Sequence, residues 1–186
     1  IELQSWTMQE EVYKKQGNKI PIHARGLFTA VTDLDKEKII ARGYDKFFNE
    51  GEVPSTKWGR ISEYATGPYE VTSKSNGCLI LISAINPYNL LITSKHTTQS
   101  PHANKGQDHL SDQLDKKGVK REDLAEWLFE NNATAVCELC DDSFEEHVLP
   151  IGEDETGLHL HGLVKNNIHL EILSSQEMTE FADTWG

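Results

Sequence analysis

The sequence has little cysteine. Cys78, Cys137 and Cys140 are too few, and odd in number, for a disulfide framework. They read as reduced, buried thiols of an intracellular protein, nuclear or cytoplasmic. Long apolar runs are missing: none approaches the ~18 residues of a membrane span. The first residues, Ile1-Glu2-Leu3-Gln4-Ser5, have neither the basic nor the apolar stretch of a signal peptide, and no initiator methionine precedes them, so the chain reads as an internal piece. Positive charge is scarce as well. Lys and Arg number 18 against 30 Asp and Glu, a net charge of −12. That excludes a global basic field for nucleic acid but leaves room for a local basic groove. No repeat, no low-complexity tract, no G-x-x-x-x-G-K-[ST] loop and no Gly-x-Ser-x-Gly elbow occurs.

What remains is a chain of 186 residues, 37% apolar and 26% charged, enough for one core of ordinary size. Strands are expected at 26–31, 69–73, 78–85, 90–93, 133–139, 144–150 and 158–164. Residues 168–173 alternate, 58–64 alternate weakly, 33–40 form a charged link, and 44–48 are an aromatic patch. Helices are expected at 108–117 and 121–131, with Leu124, Trp127, Leu128 and Asn131 on one face of the second. A last helix opens at Ser174–Ser175 with Glu177 three residues on, and runs to about Trp185. Asn76-Gly77 between apolar runs is a hairpin signal. Strands come in adjacent groups rather than in βαβ alternation, so the fold class is α+β with mainly antiparallel sheets.

The best candidate for chemistry is Lys74-Ser75-Asn76-Gly77. A lysine at the mouth of apolar strands is held firmly yet reachable, and Gly77 permits φ > 0 and close backbone approach. A lysine attacks only when neutral, so its ordinary value of about 10.4 must be lowered by desolvation or a nearby cation. Cys78-Leu79-Ile80-Leu81-Ile82 supplies an apolar wall and Lys95 a second cation. A solvated turn lysine is the plainer alternative, since short motifs recur by chance. Glu138 stands amid Thr134-Ala135-Val136-Cys137, and a strand acid is expected to meet a cation, a metal or a hydroxyl. Arg25 leads into an apolar strand, and its guanidinium suits bidentate phosphate contact. Together these fit a site handling a nucleoside triphosphate.

At these residues the sequence resembles the covalent nucleotidyltransferases: RNA and DNA ligases and mRNA capping enzymes. Within them it is most similar to the RNA ligase branch that joins phage RNA ligases with fungal tRNA ligases. The resemblance is carried, in order, by Ala24-Arg25-Gly26-Leu27-Phe28, Lys46-Phe47-Phe48-Asn49-Glu50-Gly51-Glu52, Lys74-Ser75-Asn76-Gly77-Cys78, Ser94-Lys95-His96-Thr97 and the stretch from Glu138 to His147. With Gly157-Leu158-His159-Leu160-His161-Gly162, it extends from about Ile20 to Gly186. It implies a nucleotidyltransferase fold of antiparallel sheets with flanking helices. It also implies ATP and Mg²⁺ (or Mn²⁺) as cofactors. Lys74 would be the adenylated nucleophile, and Arg25, Thr72, Ser73, Gly77, Lys95 and Glu138 would contact the nucleotide. Glu138 would also serve metal, and His147 the RNA terminal phosphate. The His159/His161 strand would run under the adenine, with packing or surface polarity the plainer reading of both histidines.

The implied activity is three-step ATP-dependent joining of RNA, as in tRNA splicing and the splicing of a stress-response mRNA. The implied substrates are tRNA exon halves with 2′-phosphate and 5′-phosphate ends. Kinase and cyclic phosphodiesterase domains are expected in the full-length chain. The family's motif IV glutamate and motif V Lys-x-Lys have no counterpart after His147, where Lys165 is the sole lysine. The expectation is therefore one ligase domain over 1–186, incomplete at its C-terminus. A non-catalytic nucleotide- or RNA-binding domain and a protein-interaction module are the alternatives. The acids Asp141, Asp142, Glu145 and Glu146 lack calcium-loop spacing. Cys137-x-x-Cys140 has no second pair, and buried structural thiols are the simpler reading. His159-x-His161 with His169 is a weak zinc pattern.

Overall fold

The computed structural model describes residues 2–16, 22–31, 36–67, 72–144 and 150–186. Its centre is the apolar run after Gly77. Cys78–Asn86 forms a strand buried on both faces, which is why the run is continuous rather than alternating. It turns at Pro87–Tyr88 and pairs antiparallel with Asn89–Ser94. The side chain of Asn86 closes that turn, accepting from Tyr88 N–H at 2.9 Å and Asn89 Nδ2 at 3.0 Å.

The elements in order are β1 (Leu3–Trp6), α1 (Glu10–Gln16), β2 (Leu27–Val31), β3 (Glu37–Arg42), α2 (Trp58–Tyr64), β4 (Cys78–Asn86), β5 (Asn89–Ser94), α3 (Pro101–Lys117), α4 (Arg121–Glu130), β6 (Ala133–Cys140), β7 (Gly157–Lys165) and α5 (Ser175–Trp185). Two antiparallel sheets result, ordered β1-β2-β3 and β5-β4-β6-β7. β4 and β6 are thus central, as expected for an α+β fold with flanking helices.

Alternation sorts the two faces of the larger sheet. Ile80, Ile82, Ala135 and Leu139 pack under α3, α4 and α5 with Leu124, Leu128 and Phe181. Leu81, Leu91 and Val136 meet Phe28, Ala30 and Ala41 of the smaller sheet. Polar groups cross between the sheets with partners. Ser83 Oγ donates to the Ile40 carbonyl at 2.5 Å, and Arg42 N–H donates to Thr134 Oγ1 at 3.2 Å. The Arg42 side chain, 1% exposed, bonds the carbonyls of Asn167 and Ile168 and pairs with Asp45.

Several expectations are corrected. Asn76-Gly77 is not a hairpin turn: neither residue has the positive φ a type I′ turn requires, and the hairpin lies at residues 86–89. Thr72 and Ser73 are irregular rather than strand, while 69–71 lie outside the described residues, as do 145–149 of the strand expected at 144–150. The charged link at 33–40 contains most of β3, whose Lys38 and Glu37 face outward while Ile40 and Ala41 are buried. Residues 58–64 are the helix α2, with none of its residues buried. Residues 168–173 make one bridge, Val164 to Ile172, instead of a strand. α3 begins seven residues earlier than expected, where Ser100 Oγ accepts from Ala103 N–H at 3.0 Å and Pro101 takes the first turn.

Candidate active site

The register of β4 on β6 pairs Cys78 with Leu139 and Leu79 with Glu138, so the loop ahead of β4 is laid across the end of β6. The approach is close. A Cβ at Gly77 would lie 2.0 Å from the Leu139 carbonyl oxygen, which only glycine avoids. Its N–H donates to Glu138 Oε1 at 3.1 Å. Gly77 is thus required for proximity, not for the positive φ expected of it. Lys74 stands exposed on this loop, its amine donating to the Ser75 carbonyl at 3.1 Å.

On the other side of Glu138, β7 carries a bulge. Val136 pairs with Gly162 and Cys137 with Leu160, leaving His161 as the extra residue. His161 faces the cleft, with Nε2 3.7 Å from Glu138 Oε2. Burial holds it below the ordinary histidine range, assisted by Lys74 and opposed by Glu138. Tyr44 packs so tightly on Gly162 that a Cβ there would sit 2.1 Å from its hydroxyl, which donates to the His161 carbonyl at 2.9 Å. His159 points elsewhere, its Nε2 at 2.6 Å from the Glu155 carbonyl.

The cleft also holds a group of cationic residues. Arg25 enters it just before the left-handed Gly26 (φ 60°), and its buried Nε has no hydrogen-bond partner. Lys95 follows β5 and is held below its ordinary value by burial and by Arg25. His96 is lowered by burial, then by Lys95 and Arg25. Leu79, Val136 and Tyr44 give the cleft an apolar wall, and its volume is ≈ 700 Å³.

Arg25, Thr72, Ser73, Lys74, Gly77, Lys95 and Glu138 all line this single cleft. His147 lies outside the described residues. Tyr44, Phe47, His96, His102 and His161 line it too. The aromatic patch at 44–48 was the legible sign of the first two. The bulge that turns His161 inward has no local signature.

Other clusters resolve into structure. Asp141, 3% exposed, is bound by His109 Nε2 at 2.7 Å, Lys105 Nζ at 3.1 Å and Ser143 N–H at 2.9 Å. Cys137 and Cys140 are buried free thiols, and burial pushes Cys137 up to about 12. Among the described residues no group of three or more His, Cys, Asp or Glu is disposed to hold a metal, and no helix is long and apolar enough to cross a membrane.

The cleft thus combines a strand acid tied to a lysine loop with further cations. The sequence profile of the RNA ligase family matches residues 23–186, and the chain belongs to that family. Along its whole length it is 42% identical to the tRNA ligase of Candida albicans and 41% identical to tRNA ligase 1 of Schizosaccharomyces pombe. It spans about a quarter of each, 24% and 26% of their lengths.

Proposed function

We propose that this chain is the adenylyltransferase unit of an ATP-dependent RNA ligase of the tRNA ligase type. The observation that carries the reading is the convergence of Lys74, Glu138, Arg25 and Lys95 on one cleft. Its apolar wall suits a base, and its cationic group suits a polyphosphate. The unpartnered Arg25 Nε is a donor awaiting an anion.

In the first step the Lys74 amine attacks the α-phosphorus of ATP. The bond to pyrophosphate breaks, the amine gives its proton to solvent, and lysyl-N-AMP remains. In the second, an oxygen of the RNA 5′-phosphate attacks the same phosphorus, breaking the P–N bond and freeing Lys74. In the third, the 3′-hydroxyl of the other strand attacks the activated 5′-phosphorus and expels AMP. Charge develops on phosphate oxygens throughout, so catalysis is positioning plus electrostatics. Arg25 and Lys95 supply positive charge. Glu138 is bound on one side by Gly77 N–H, and His161 stands 3.7 Å away on the other.

A single carboxylate is no metal cage, but Mg²⁺ takes one or two carboxylates with substrate phosphates, so Glu138 fits as its protein anchor. Bound there, Mg²⁺ or Mn²⁺ would neutralise phosphate charge. His147 is assigned to the RNA terminal phosphate. The substrates are tRNA exon halves bearing 2′-phosphate and 5′-phosphate ends, and a spliced stress-response mRNA. Kinase and cyclic phosphodiesterase activities belong to the rest of the full-length protein, in nucleus or cytoplasm.

The test is incubation of the full-length protein with α-labelled ATP and Mg²⁺. A label that survives SDS and is lost in acid marks the phosphoramidate. Lys74→Ala and Lys74→Arg should both abolish it, since arginine titrates above about 12 and offers no neutral nucleophile. Lys74→Ala should still seal RNA that is already adenylated. No label in the wild type, with ATP binding retained, would favour a non-catalytic nucleotide-binding domain. Undiminished ATP-dependent joining by Lys74→Ala would place the nucleophile elsewhere.

A further inference from the structure

The segment ahead of the family match touches a residue of the cleft, Lys95. α1 is anchored by Tyr13, 1% exposed, whose hydroxyl donates at 2.7 Å to the carbonyl of Ala24, the residue beside Arg25. One turn earlier on the same face, Glu10 reaches two lysines at once. Its Oε2 is 3.0 Å from Lys46 Nζ and its Oε1 3.8 Å from Lys95 Nζ. Lys46 is itself fixed: its backbone N–H donates to the Ile22 carbonyl at 2.7 Å, and its ammonium lies 5.2 Å from the centre of the Phe48 ring.

Arg25 is close enough to bear on both Glu10 and Lys95. Three cations gathered in one corner repel one another, and lysine stems are flexible enough to swing out to water. Glu10 supplies the anion that opposes this. Its carboxyl is held below its ordinary value, chiefly by the Lys46 hydrogen bond. Each ammonium has three donors; Glu10 takes one from Lys46 and faces Lys95 at ion-pair distance, which leaves the rest for a ligand. The corner keeps a net positive charge after Glu10 is counted.

We propose that Glu10 is a positioning residue for nucleotide transfer. It tethers Lys46 and Lys95 so that, with Arg25, they form a preset cradle for the polyphosphate end of the triphosphate. This rests on Lys74 being the nucleotide-accepting lysine of the same cleft. The sequence motifs ignore Glu10, because α1 precedes them and its acid acts only through groups they contain.

The test compares full-length wild type with Glu10→Gln and Glu10→Asp. Glu10→Gln should raise the KM for ATP in adduct formation about tenfold, with kcat at saturating ATP changed much less. Inorganic tripolyphosphate should weaken in parallel as a competitor. Glu10→Asp, keeping the charge on a shorter stem, should recover part of the loss. Sealing of pre-adenylated RNA binds no triphosphate and should suffer far less. A KM that is unchanged, or lower as for a carboxylate merely competing with phosphate, would sink the proposal. So would an equal loss in both reactions, the mark of a folding defect. No adduct in the wild type would instead remove the Lys74 reading and this inference with it.

Discussion

At the scale of single residues the site depends on what is missing from two of them. Gly77 and Gly162 lack the Cβ that would strike the Leu139 carbonyl oxygen and the Tyr44 hydroxyl, and between them they bring the lysine loop, the β7 bulge and the Tyr44 wall around Glu138. The two sites differ in what can yield. Tyr44 is a side chain and can rotate away from an alanine at 162, whereas Leu139 O belongs to the backbone of a central strand. Gly77→Ala should therefore move the lysine loop itself. A displacement on the order of 1 Å in a group-transfer site costs about 10²-fold in rate. Adduct formation by Gly77→Ala should fall by about that much, while thermal unfolding stays near wild type because the loop is partly exposed. An alanine variant that labels at the wild-type rate would show that the contact with β6 does not set the nucleophile. Gly77 was legible in the sequence as a glycine that permits close backbone approach. The partner it approaches was not, since Leu139 is distant along the chain and only strand pairing makes them neighbours.

At the scale of elements, what could be read was what is local. The capping box of α5 shows in the letters Ser174 and Glu177 and recurs in the structure, with Ser174 N–H donating to Glu177 Oε2 at 2.8 Å. The strongly apolar β4 and β6 were legible for the same reason. β3 was not, because half of its residues are charged and its strand character comes from pairing with β2. The first turns of α3 were obscured by Gly106, a poor helix former, where a Cβ would crowd the Ile80 side chain at 3.1 Å. α3 also clamps the segment after β6 through Asp141. Burial alone would raise that carboxyl, but Ser143, His109 and Lys105 together hold it well below the usual carboxylate range. An aspartate in the unfolded chain takes its proton near ~3.9, above the folded value. The stabilisation is therefore complete well above that pH and drains away as pH falls from there toward the folded value. Asp141→Asn should lose about 3 kcal/mol at pH 7, as when one partner of a buried ion pair is removed. Its denaturant midpoint should also decline less between about pH 5 and 3 than that of the wild type. Parallel declines in the two proteins would show that Asp141 does not carry this acid sensitivity.

At the scale of the whole molecule, a net charge of −12 has to be reconciled with the RNA substrate proposed above. The reconciliation is spatial. Lys74, Arg25 and Lys95 line one cleft, and Glu10 joins Lys95 to the neighbouring Lys46. The acid is carried elsewhere, much of it beyond Glu138 and in the 3₁₀ turn Glu153–Glu155. On the proposed function, such a chain engages a few phosphates at the strand ends, which is where the proposed chemistry occurs. Salt dependence measures the number directly. Each phosphate neutralised on a single strand contributes about −0.7 to the slope of log K against log salt, so three or four cleft cations predict a slope of about −2 to −3. The measurement is binding of a short 5′-phosphorylated RNA to this chain across a salt titration, with a 5′-hydroxyl RNA as control. The control should bind more weakly and with a shallower slope, because the end phosphate is what the cleft would hold. A slope steeper than about −5, equal for both RNAs, would require a long basic track along the strand. It would move RNA recognition away from the cleft.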